Sequence, residues 1–157
     1  MPRGFTLIEI MIVVAVVAIF AMVAVPSMQD LIVASRVRGA SSDFYASLVA
    51  ARSEAIKRRT TATVEPQATY WSTGWKVKVG SNTFQTVDAP PSTISVLPSS
   101  AATSITYGLN GRVTAGAQTV VFYVASSTIK ARCVSVDPNG MPRVRMDGNG
   151  DASDGCN

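Results

Sequence analysis

Glu9 is the residue that makes chemical sense of the opening of this 157-residue chain. It is the one charge among the twenty-one residues from Phe5 to Val25, a run with enough helix to cross a hydrocarbon core of roughly 30 Å. A carboxylate near the end of such a helix costs roughly 2.5 kcal/mol or more and requires a partner. The only cation upstream is Arg3, in the short preamble 1–4. A cut between Gly4 and Phe5 would create a new α-amino group, and that amine, borne by a neighbouring copy, is an attractive counter-charge. The plainer alternative is an ordinary secretory signal peptide, with a basic start and small residues such as Ala21 and Ala24 near its cut. Its apolar core, however, is roughly 7–15 residues long and carries no acid.

The rest of the reactive inventory is thin. The chain has no histidine, which removes Ser-His-Asp and Cys-His nucleophile pairs and every histidine metal site. No Gly-rich phosphate loop is visible, so neither catalysis nor a cofactor is expected. Cys133 and Cys156 lie downstream of the apolar run, where translocation would place them in an oxidising compartment. A disulfide between them would close a loop of a little over twenty residues and stabilise the fold by about 3 kcal/mol.

The net charge of +4 becomes +3 without Arg3, too mild to mark a nucleic-acid binder by itself, but its distribution says more. Lys130, Arg132, Arg143 and Arg145 flank the turn Pro138-Asn139-Gly140. A hairpin there would put Arg143 and Arg145 on one side of a strand, and two guanidiniums on an exposed edge can grip successive phosphates. Edge arginines also blunt aggregation, or pair here with Asp147, Asp151 and Asp154. The run 147–154 sets oxygen ligands at alternate positions like the start of a calcium loop, yet Ala152 stands where an EF-hand needs glycine. A polar tail held by Cys156, with no metal, is the preferred reading.

These residues need a scaffold, and the chain is one domain's worth in length. Pro26 ends the apolar run, where it is expected to kink or interrupt a helix by removing a backbone donor. Val33, Val37, Ala40, Phe44, Leu48, Ala51 and Ala55 then recur at steps of three or four, the mark of an amphipathic helix over 27–59 with Arg38, Arg52 and Lys57 off its apolar face. Lys57-Arg58-Arg59 reads as favourable charge in the last turn. Past Thr60, alternating runs separated by turn residues predict strands at 61–65, 75–79, 83–87, 93–97, 104–107, 112–115, 119–125, 128–136 and 143–146. Short connections imply antiparallel sheets, whose apolar face would pack on Phe44 and Leu48, with Trp71 and Trp75 in the core or at a sheet edge.

Gly4-Phe5-Thr6-Leu7-Ile8-Glu9 after a short basic leader is similar to the class III signal of type IV pilins and type II secretion pseudopilins. The resemblance implies removal of the leader 1–4 by a prepilin peptidase and N-methylation of Phe5. It implies a transmembrane and filament-core helix over 5–26, its amphipathic half over 27–59, and a β-rich region facing the periplasm and later the pilus surface over 60–157. Glu9 would pair with the Phe5 amine of an adjacent subunit during assembly.

Ala51-Arg52-Ser53-Glu54-Ala55, Thr73-Gly74-Trp75-Lys76-Val77 and the late strand Cys133-Val134-Ser135-Val136 before a glycine turn resemble the FimT/FimU and GspH group of minor pilins and pseudopilins. That group implies an α+β fold, a long N-terminal helix packed against antiparallel β-sheets. It implies a minor pilin that is not an enzyme, with other major and minor pilins as partners, held in the bacterial inner membrane by a single pass and displayed on the pilus after assembly. A GspH-type pseudopilin of a type II secretion system shares the same signal and fold. FimT-type pilins of naturally transformable bacteria tie a Gly-Arg-x-Arg motif to DNA binding. Here Gly140-Met141-Pro142-Arg143-Val144-Arg145 sets two residues between the glycine and the first arginine. The implied partner is double-stranded DNA, held by Arg143 and Arg145 with help from Arg132 and Lys130.

Overall fold

The structure, a computed structural model, describes residues 5–125, 129–148 and 156, excluding the side chains of 23–27. Helix α1 covers Leu7–Arg58, so the interruption expected at Pro26 does not occur. A proline in a helix removes one donor and crowds one carbonyl, while the hydrogen bonds on either side remain to carry the helix through. The chain divides into two compact units, Met1–Val33 and Ala34–Asn157.

In the first unit every described side chain from Phe5 to Met22 is exposed. Among the described residues no helix is long and apolar enough to cross a membrane.

The second unit is built on the other end of α1. Val37, Ala40, Phe44, Leu48, Ala51 and Ala55 are all buried, because their spacing sets them on one stripe of the helix. Nine strands follow among the described residues: β1 Ala62–Pro66, β2 Trp75–Val79, β3 Asn82–Val87, β4 Ser95–Pro98, β5 Ile105–Tyr107, β6 Val113–Ala115, β7 Thr119–Tyr123, β8 Arg132–Val136 and β9 Pro142–Met146. They form two antiparallel sheets, of order β3-β2-β1-β5-β6 and β4-β7-β8-β9. Val64, Val77, Ile105 and Tyr107 from the first sheet and Val120, Phe122 and Val134 from the second meet the helix stripe in one core.

Aromatic rings occupy the centre of that core. Phe44 meets Trp71 and Trp75 edge-on at centroid distances of 5.2 and 5.1 Å, the geometry the ring quadrupole favours, and Phe122 at a tilt with centroids 5.7 Å apart. Trp71 and Trp75 are therefore core residues. The one polar atom Trp75 brings inside is satisfied: its indole N–H donates to Ser47 Oγ at 2.9 Å, and that hydroxyl donates to the Asp43 carbonyl at 2.8 Å.

The basic end of α1 belongs to the helix terminus. Glu54 accepts from Arg58 at 2.5 Å and lies 3.8 Å from Lys57, and the Arg58 guanidinium sits 5.7 Å from the Phe84 ring centroid. The Thr60 N–H donates to the Ala55 carbonyl and the Arg59 N–H to that of Ile56, which is the Schellman arrangement with Arg59 at the left-handed position. Arg59 has φ 48°, a conformation that costs an L-residue roughly 1–2 kcal/mol. Cys133 and Cys156 form a disulfide with Cα atoms 6.1 Å apart, buried in a small cluster with Val121 and Ala131.

Two stability measurements test these features. Arg59→Gly should raise the unfolding free energy by about 0.5 kcal/mol, since relief of the left-handed strain is partly offset by the greater freedom of glycine in the unfolded chain; an unchanged or lower melting temperature would contradict the strain. The oxidised chain should show no free thiol, and reduction should cost about 3 kcal/mol; two thiols titrating in the native, non-reduced protein would refute the bridge.

Candidate functional site

The N-terminal site begins at Phe5, which is exposed ahead of the helix; Gly4 lies outside the described residues. Thr6 and Glu9 form a reciprocal cap. The Thr6 N–H donates to Glu9 Oε2 at 3.1 Å, the Thr6 hydroxyl donates to the same oxygen at 3.2 Å, and the Glu9 N–H donates to Thr6 Oγ1 at 3.3 Å. Both side chains thus satisfy donors that the first turn of a helix leaves open. This role was readable in the Thr-x-x-Glu spacing but is separate from the charge-pairing role the apolar context suggests. The carboxylate therefore faces the end of the helix at which Phe5 lies.

The second site is strand β9. Its register with β8 pairs Cys133 with Arg145, Val134 with Val144 and Ser135 with Arg143. Directly opposed residues share a face, and Val134 is fully buried in the core, so Arg143 and Arg145 stand on the outer face. Both are exposed, neither makes an ion pair among the described residues, and β9 is the edge strand of its sheet. Their spacing along the strand is roughly 6.5 Å, two residues at about 3.3 Å each.

Arg132 does not join them. Arg132 opposes Met146, which by alternation puts it on the face that carries Val134, and it is half-buried. Lys130 is exposed in the approach to β8. Arg132 thus leaves the surface expected from the sequence, because a one-residue difference in position reverses the face of a strand side chain. Asp147 extends the ladder, its N–H donating to the Ala131 carbonyl at 3.0 Å, and its side chain is buried. Asp151 and Asp154 lie outside the described residues. Among the described residues no group of acids and cysteines is placed to hold a metal.

What holds the β8–β9 hairpin in place is a contact the sequence did not suggest. The turn closes with the Gly140 N–H donating to the Asp137 carbonyl at 2.8 Å, and the Val113 N–H donates across to the Pro138 carbonyl at 3.1 Å, tying one sheet to the other. Gly140 has φ 79°, and a Cβ there would run into the backbone of Gly111 and Arg112. Arg52, expected off the core face of the helix, donates from Nε to the Gly111 carbonyl at 3.1 Å and from Nη1 to the sulfur of Met141. Arg52 thus connects α1 to both turns. Tyr107, buried beside it, makes no hydrogen bond through its hydroxyl among the described residues; burial pushes that hydroxyl well above the usual tyrosine range, opposed by the Arg52 charge.

A further charged cluster lies on the outer face of the first sheet. Glu65 Oε1 is 3.0 Å from Lys78 Nζ and 3.2 Å from Lys76 Nζ. Burial works to raise the Glu65 carboxyl, but the hydrogen bonds and charges of Lys78 and Lys76 outweigh it, and the group is held below its ordinary value. These lysines are paired and belong to the sheet surface.

Comparison with known proteins agrees with this architecture. Two curated fimbrial proteins of Pseudomonas aeruginosa are each 36% identical over 74 residues, 46% of this chain and 48% of theirs; the chain spans about half the length of these relatives. Crystal structures of the type IV minor pilin FimU of Pseudomonas aeruginosa in two crystal forms share the fold. Their TM-scores are 0.63 and 0.60 at 21% identity, covering 78% and 76% of this chain and 96% and 99% of those chains. A family model for the prokaryotic N-terminal methylation motif matches residues 2–25. The model of the type II transport protein GspH matches residues 40–140, which takes in α1 from Ala40, all of the first sheet and β4, β7 and β8 of the second, and the chain therefore belongs to the GspH family of pilin-like proteins.

Proposed function

We propose that this protein is a minor pilin of a type IV pilus, a structural subunit that is cut between Gly4 and Phe5 by a prepilin peptidase, methylated at Phe5 and anchored in the inner membrane before assembly. The observation that carries the reading is the pairing of a methylation motif over 2–25 with a GspH-type region over 40–140 in one chain. The likeness to fimbrial proteins and to the fold of FimU favours the pilus. The family's designation as a type II transport protein supports the second reading, a pseudopilin of a type II secretion system.

Glu9 is the assembly residue in either case. Its carboxylate has two tasks, capping its own helix and meeting the Phe5 amine of a neighbouring subunit, and two substitutions separate them. Glu9→Gln keeps an acceptor at the third helical position, so the helix start should survive, while the charge is lost. Glu9→Ala removes both. Both variants should insert into membranes and be depleted from purified filaments; wild-type incorporation of Glu9→Gln would restrict Glu9 to capping.

The arginine strand supports a further activity of the same subunit, sequence-independent binding of double-stranded DNA during natural transformation. Two exposed guanidiniums on one edge, without ion-pair partners among the described residues, can neutralise about two phosphates, for an expected slope of log affinity against log salt of about −1.8. Arg143→Gln combined with Arg145→Gln should abolish salt-sensitive binding and leave filaments assembled. Arg132→Gln should change binding little, since its face is turned from the pair. A double variant that binds as the parent does would end the DNA reading and leave the assembly role intact.

A further inference from the structure

A trough of about 350 Å³ opens between α1 and the chain leaving β3, lined by Arg36, Gly39 and Asp43 on the helix and by Asp88, Pro90 and Pro91 opposite, with the buried Trp75 between. Gly39 is its informative residue. Gly74 and Gly140 occupy left-handed backbone at φ 86° and 79°, and a Cβ on either would run into backbone of another segment. Gly39 is different: it is exposed in the middle of a regular helix, and a Cβ there would meet nothing within 4 Å. Among the described residues nothing demands glycine at this position, where only proline is a poorer helix former. The effect of the missing side chain is to leave helix backbone bare along one wall of the trough.

The charges give the trough a sign. Asp43 and Asp88 stand against a single guanidinium, that of Arg36, and none of the three makes an ion pair among the described residues. The trough is thus net negative by one charge on a chain of net charge +4. Its apolar surface at Trp75, Pro90 and Pro91 suits the aliphatic stem of a long basic side chain, whose head would reach the carboxylates.

We propose that this trough is the docking site for a lysine or arginine side chain of a neighbouring filament subunit, packed closely over Gly39 and neutralised by Asp43 and Asp88. The proposal rests on the pilin reading and deepens it, naming where the globular region meets its neighbour. A side chain at position 39 would start in open space, its Cβ meeting nothing of this chain within 4 Å, and would enter the trough the partner needs, so a single substitution can separate folding from docking.

The test uses the full chain expressed in cells lacking their own copy, with subunit content measured in sheared filaments. Gly39→Leu should melt no lower than the parent and yet fall at least fivefold in filaments, as should Asp43→Lys combined with Asp88→Lys. A photo-reactive residue at position 89, on the rim of the trough, should form adducts with a peptide of another subunit that contains lysine or arginine. Parent-level incorporation of both variants overturns the docking site, as does an adduct peptide lacking both basic residues. Should the parent itself be absent from filaments, the pilin reading falls and the trough with it. With the parent present and Glu9→Gln depleted, undiminished trough variants sink the trough alone.

Discussion

One stripe of one helix is the floor on which both sheets are laid. Val37 to Ala55 supplies every helix side chain in the common core, and neither sheet has another apolar surface of comparable size to cover. An antiparallel sheet can leave one face in water only if the other is covered. Phe44 is where the covering closes, since rings from β2, β7 and the short turn Trp71–Thr73 converge on it. Burying three large aromatics around a fourth removes enough apolar area to outweigh the ordering of the loops between the strands. The Ser47 hydroxyl is the polar complement, because without it the Trp75 N–H would be buried without an acceptor, at a cost of roughly 1–3 kcal/mol.

That arrangement decides which surfaces are left for partners. With the inner faces of both sheets occupied by the helix, function is confined to outer faces, edges and the rims where strands leave the helix. Arg143 and Arg145 are on an edge strand, and their presentation depends on a hairpin clamped from inside by Gly140, the Gly111 carbonyl and Arg52. The trough beside Gly39 is a rim of the same kind, where the chain departs from β3 toward β4 and does not cover the helix completely. Glu9 lies in the other unit, where its own chain supplies a cap and exposed apolar side chains but no cation among the described residues. Within the second unit the two surfaces differ in sign, Arg143 and Arg145 on an edge strand and Asp43 and Asp88 at the trough.

The chain itself specified whatever depends on short-range pattern. The helix periodicity from Val37 to Ala55, the centres of all nine strands, the Pro138-Asn139-Gly140 turn and the isolated Glu9 were legible, because side-chain periods of 3.6 and 2 and the turn preferences of proline and glycine act over a few residues. The helix runs through Pro26 without interruption, since the one missing hydrogen bond is a local loss within a helix of 52 residues. Pairing was not legible. β1 takes both β2 and the distant β5 as neighbours, and β4 leaves its sequential neighbours to join β7 in the second sheet. Those choices are made by the summed fit of two faces against one helix stripe, which no local window contains. The same holds for single residues: Arg132 is parted from Arg143 and Arg145 by register across β8 and β9, and Arg52 finds its partners in turns far along the chain. Sequence determined which segments were helix or strand and which residues were unusual, while tertiary packing decided which of those residues share a surface, because a shared surface depends on contacts between segments that are distant in the chain.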